Sequence, residues 1–123
     1  MNLVDSSAWL EYLIGGKNAE KFAKVIEDTK KLLVPSIVAY EVFKKILSDR
    51  DQTTALNVVA HMKQGKIVDF DLELAINAAR VNKEYNLPMA DSIIYATAEK
   101  YKAELWTQDS DFRGMKGVKY FGK

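Results

Sequence analysis

Leu3-Val4-Asp5-Ser6-Ser7-Ala8-Trp9-Leu10-Glu11-Tyr12-Leu13-Ile14-Gly15-Gly16 reads as a short strand, a group of helix-capping residues, one helix and a stop. The same grammar recurs along the chain. Lys17 to Lys31 carries Phe22, Val25 and Ile26 on one side and reads as a helix, Leu32-Leu33-Val34 as a second strand, and Pro35-Ser36 as the opening of a helix that runs through Leu47. Asp51 to Lys63 reads as helical, Ile67-Val68 as a third strand, and Asp71 to Glu84 and Pro88 to Tyr101 as two further helices. Glu104 to Thr107 and Val118 to Phe121 supply the fourth and fifth strands. Short apolar strands separated by helices specify a parallel sheet covered on both faces, because parallel neighbours need crossover connections. The expected fold class is therefore α/β with about five strands. Gly15, Gly65, Gly114 and Gly117 fall at turns, and no phosphate-binding glycine fingerprint occurs.

With 123 residues and 48% hydrophobic content, the chain suits one compact domain spanning residues 1–123. It shows no internal repeat, low-complexity stretch or linker. No run of roughly 18 apolar residues could cross a bilayer, and no charged leader precedes an apolar stretch, so a soluble, cytoplasmic protein without membrane contact is expected. Having no cysteine excludes disulfides, thiol nucleophiles and cysteine-based zinc sites, and the single histidine, His61, excludes a histidine-rich metal site. Any chemistry must rest on carboxylates, hydroxyls or amines. The net charge of +1 gives no indication of a nucleic-acid partner by itself. Four acids gathered in one pocket, however, would leave the rest of the surface mildly basic.

Four acids occupy places where acids are unusual. Ligands of an open parallel sheet bind beyond the carboxyl ends of its strands. Asp5 directly follows the first strand, and Asp109 follows the fourth by way of Thr107 and Gln108. Each could equally be a helix N-cap or a turn former. Glu41 lies four residues after Ile37 and three after Val38, and Asp91 shares its helical face with Ile94, Tyr95 and Ala98, so both project among apolar neighbours. For Asp91 the alternative is a favourable interaction with the helix N-terminus. If all four converge, repulsion becomes restrictive, since two unit charges ~4 Å apart repel by about 4 kcal/mol at an effective dielectric of 20. Several such pairs rival the stability of a whole domain, about 5–15 kcal/mol. The cluster must then bind protons or cations, and a hard, all-oxygen set selects Mg²⁺ or Mn²⁺. Sites of that kind commonly act on phosphodiesters.

Four segments carry a resemblance: Leu3-Val4-Asp5-Ser6-Ser7, Pro35-Ser36 with Glu41 five residues on, Leu87-Pro88-Met89-Ala90-Asp91-Ser92-Ile93-Ile94-Tyr95-Ala96-Thr97-Ala98, and Thr107-Gln108-Asp109-Ser110-Asp111-Phe112. In order and spacing these resemble the PIN-domain nucleases, and the short chain resembles a VapC-type toxin of a toxin-antitoxin pair. The resemblance implies a flavodoxin-like strand order 3-2-1-4-5. It implies that Asp5, Glu41, Asp91 and Asp109 hold one or two divalent ions, Mg²⁺ or Mn²⁺, with Asp111 as an auxiliary acid and Ser6 and Thr107 as supporting hydroxyls. It further implies endonucleolytic cleavage of RNA by metal-activated water, leaving a 5′-phosphate and a 3′-hydroxyl, together with homodimerisation and inhibition by a VapB-type antitoxin. Trp9, Leu10, Tyr12 and Leu13, with Phe43 and Ile46, are candidates for the antitoxin groove, although apolar residues at helical spacing are more often core. Lys44, Lys45, Arg50, Arg80, Lys83 and Arg113 could meet RNA phosphates or be solvated surface.

Three other readings compete. A response-regulator receiver domain would use Asp5, Asp69 and Thr107, but it leaves Glu41, Asp91 and Asp109 idle. A non-catalytic RNA-binding PIN module keeps the fold without the reaction. An RNA-maturation nuclease keeps the reaction without toxicity.

Overall fold

The computed structural model describes all 123 residues. In chain order the elements are β1 (Asn2–Val4), α1 (Ser6–Ile14), α2 (Ala19–Ile26), β2 (Leu32–Pro35), α3 (Ser36–Asp49), α4 (Gln52–Met62), β3 (Lys66–Val68), α5 (Leu72–Tyr85), α6 (Met89–Tyr101), β4 (Glu104–Thr107) and β5 (Val118–Tyr120). All strand pairs are parallel, and the order across the sheet is β3-β2-β1-β4-β5. The α/β class, the five strands and the order 3-2-1-4-5 agree with the sequence reading. Successive strand residues face opposite sides of a sheet, and all four residues of β2 are buried, so both faces of the sheet are covered.

The core is one cluster that includes Leu3 and Val4 of β1, Leu32, Leu33 and Val34 of β2, Leu105 of β4, Trp9, Phe22, Met62 and Ile94. Around it α1 packs on α2, α3 on α4 and α5 on α6. Helix α6 contributes an unbroken buried stretch from Ser92 to Ala98. Ser92 Oγ donates to Pro88 O and Thr97 Oγ1 to Ile93 O, while Tyr95 OH donates to Lys116 O. That burial anchors the first turn of α6, where Asp91 sits.

Two of the boundaries that differ from the sequence reading bear on packing or on the site. The helix expected over Lys17 to Lys31 ends at Ile26, and Thr29–Lys31 forms a separate 3-10 turn. Beyond Ile26 the residues Glu27-Asp28-Thr29-Lys30-Lys31 include no apolar side chain to bury, and helix without packing is marginal. Pro88 occupies the N-cap of α6 rather than its first turn, which places Asp91 within that turn.

Candidate active site

Strands β1 and β4 lie side by side with Val4 opposite Trp106, so the chain emerges from the same sheet edge at Asp5 and at Thr107. Asp5 N donates to Trp106 O at 3.2 Å. The Asp5 carboxylate is only 2% exposed. Its Oδ1 accepts from Ala8 N at 3.0 Å and from Ser7 Oγ at 2.8 Å, and its Oδ2 accepts from Thr107 Oγ1 at 2.6 Å. Asp5 is thus an N-cap, as its alternative reading held, and part of an acidic site as well. Burial raises its pKa; the bonds from Thr107, Ser7 and Ala8 pull it back, Asp109 pushes it up again, and it lies at about 6.

Thr107 Oγ1 also accepts from Asp109 N at 2.8 Å, so one hydroxyl fixes two acids. Asp109 Oδ1 in turn accepts from Asp111 N at 2.9 Å and closes a turn anchored by the buried Phe112. Asp91 reaches this turn from α6, and one carboxylate oxygen each from Asp91, Asp109 and Asp111 lies within 4.8 Å of the others. Burial, then the charges of Asp109, Asp111, Asp5 and Glu41, push Asp91 up to about 8. Glu41 stands across from α1, its Oε1 accepting from Ser6 Oγ at 2.8 Å. None of these five acids takes part in a salt bridge.

The structure therefore brings the four predicted acids to one sheet edge. Asp111, expected as auxiliary, stands in a close group with Asp91 and Asp109, while Asp5 and Glu41 flank it. Ser6 and Thr107 bond to acids as expected. Ser7 was missed. Adjacent helix residues point about 100° apart, so one serine meets Glu41 and the other turns back to the cap, a division that the pair Ser6-Ser7 could have signalled. Asp69 follows β3, which is the sheet edge separated from β1 by β2, so it is remote from Asp5 in the way the receiver reading would not allow. Trp9 is wholly buried and cannot line a surface groove. The α4 residue His61 packs against it at 5.9 Å between ring centroids. Leu10, Tyr12, Leu13, Phe43 and Ile46 stay partly exposed.

Residues 3–118 match the model of the PIN domain. The chain belongs to the PIN-domain family. Among solved structures, this PIN domain is similar to a toxin-antitoxin complex from Klebsiella pneumoniae (21% identity, all of both chains covered, TM-score 0.81). It is also similar to a sarcin-ricin-loop-cleaving VapC toxin of Mycobacterium tuberculosis (13% identity, 94% of this chain and 95% of that one, TM-score 0.77). A third is a protein of Pyrobaculum aerophilum (24% identity, 97% and 87% covered, TM-score 0.74). At these identities the likeness is one of fold. No curated protein matches the chain significantly.

Proposed function

We propose that this PIN domain is a metal-dependent endoribonuclease acting as the toxin of a toxin-antitoxin pair. One observation carries the reading: five carboxylates meet at the carboxyl edge of the sheet with no basic side chain paired to any of them. Such a cluster needs a positive charge from outside the chain, and its hard oxygen donors fit Mg²⁺ or Mn²⁺. Asp91, Asp109 and Asp111 would hold the cation, flanked by Asp5 and Glu41. A bound divalent ion supplies acidified water and charge stabilisation on the leaving oxygen of a phosphodiester.

The chain's own residues contribute position and charge. Thr107 fixes Asp5 relative to Asp109, Ser6 orients Glu41, and Asp91 gives up its proton as the site loads, so cation affinity rises with pH through about 8. The test is cleavage of a labelled RNA pool with Mg²⁺ or Mn²⁺ against a chelator control and Asp91→Asn. Cleavage that needs both the cation and Asp91 is expected. Its absence in folded, partner-free protein across both cations and several RNA classes would transfer the reading to a non-catalytic RNA-binding module.

The toxin assignment draws support from the toxin-antitoxin complexes among the similar folds. A VapB-type antitoxin would cover the partly exposed α1 and α3 residues around Tyr12, with the chain as a homodimer in the cytoplasm. Unchanged antitoxin affinity in a folded Tyr12→Ala variant would remove that face from the reading. Growth arrest on expression, relieved by the antitoxin, separates the toxin from an RNA-maturation nuclease.

A further inference from the structure

Gln108 lies between the two residues that define the site, Thr107 and Asp109, yet it is turned inward and buried. Its Oε1 accepts from Asn18 Nδ2 at 3.1 Å. Asn18 Nδ2 also donates to Gly122 O at 3.1 Å. A backbone carbonyl can only accept, which fixes the orientation of the Asn18 amide and makes the Gln108 oxygen the atom that faces it. Asn18 itself is 1% exposed. Its backbone N–H donates to Glu11 Oε2 at 3.0 Å, and that carboxylate occupies the space where any side chain on Gly16 would stand.

The path continues into the acidic site. Gln108 N donates to Ser7 Oγ at 3.3 Å, and Ser7 Oγ donates to Asp5 Oδ1 at 2.8 Å. One buried amide between α1 and α2 thereby joins the loop after β4 and the segment after β5 to the acids. Asn18 Oδ1 has no protein partner, so this amide is a costly way to fill the space if filling were its only role.

We propose that Asn18 is a positioning residue for the site: it clamps Gln108, and through Gln108 it holds Asp109 and Asp5 at a fixed spacing. The kinetic arm of its test rests on the nuclease reading; the other two arms do not.

In the full chain, Asn18→Ala removes both donated bonds, and Gln108→Met removes the acceptor while keeping side-chain length. Each is expected to speed amide hydrogen exchange at Gln108 and Asp109 in the cation-free protein about tenfold while β1 amides are unaffected. Each should also weaken Mn²⁺ binding, measured by calorimetry, by roughly 10- to 100-fold. RNA cleavage by the folded fraction should lose kcat by a similar factor at unchanged KM. The double variant should be no worse than Asn18→Ala alone, because that variant has already broken the link to Gln108. Additive losses, unchanged exchange at Asp109, or kcat within twofold of the unsubstituted chain would overturn the clamp. If Asn18→Ala fails to fold, Gln108→Met decides alone. Should the unsubstituted protein cleave no RNA while exchange and Mn²⁺ binding respond as stated, the nuclease reading falls and the clamp stands.

Discussion

Asp5 and Asp91 contribute the same functional group to the same acidic site, and their surroundings are built on opposite plans. Asp5 is nearly inaccessible and accepts three hydrogen bonds, so its pKa rises only to about 6 despite full burial. Asp91 is only half-buried, yet it faces four other acids and lies at about 8. Burial is the largest push on both, and the difference between them comes from what faces each carboxylate, since donors stabilise the ionised form directly and like charges oppose it. In the proposed site Asp5 is a fixed post, and Asp91 is the acid whose charge a cation would offset.

Neutralising each acid in turn separates the two plans by the largest effect. Both Asp5→Asn and Asp91→Asn are expected to lower RNA cleavage on the order of 10³-fold, the scale of several kcal/mol of lost charge stabilisation. Their effects on the cation-free protein should have opposite signs. Above about pH 8, where Asp91 is ionised, Asp91→Asn relieves repulsion and raises the melting temperature, whereas Asp5→Asn cannot accept from all three donors and lowers it. If calorimetry finds the same sign for both, the post and the ligand are not distinct.

Thr107→Val tests the post next. It deletes the donor to Asp5 and the acceptor of Asp109 N, and is expected to cost roughly 1–3 kcal/mol of stability, read from a denaturant titration. A smaller loss than Asp5→Asn would still fit; no loss would not.

The pH dependence separates the two acids without mutation. Each folded pKa lies above the unfolded value of 3.8, so the unfolded chain releases these protons first. The folded cation-free protein therefore loses stability as pH rises from about 4, through Asp5 near 6 and Asp91 near 8, and the decline levels off above that. Melting temperatures at pH 5 should exceed those at pH 8, and added Mn²⁺ should raise the value more at pH 8. Equal Mn²⁺ effects at the two pH values would count against Asp91 as the titrating ligand.

The smallest effect is expected from Ser6→Ala, which removes one hydrogen bond to a partly exposed Glu41, worth about 0.5–1.5 kcal/mol. Cleavage should fall by only a few-fold. A loss matching that of Asp91→Asn would make Glu41 a post as well.

Most of the architecture was legible because its signals are local and repeated: apolar runs too short for anything but strands, alternating with amphipathic segments. Asp5 and Asp109 were legible from their place after strands, and Glu41 and Asp91 because acids interrupt apolar stripes. The closeness of Asp111 to Asp91 and Asp109 was not, because it depends on a three-residue turn closed by Asp109 rather than on any periodic pattern. Periodicity also showed that Trp9 lies on an apolar face without showing what covers that face; His61, far along the chain, does so. The Asn18 contacts were invisible for the same reason, as they join residues 90 and 104 positions apart.

The pairing of β1 with β4 sets the order of events in time. Thr107 and Asp5 are 102 positions apart, and contacts so distant in sequence form late, after the loop-closure entropy of the intervening chain has been met. Because a chain is synthesised from its N-terminus, Asp5 exists long before any residue that can complete its site. An acidic centre assembled across that pairing stays incomplete until Thr107 has been made and the two strands have joined.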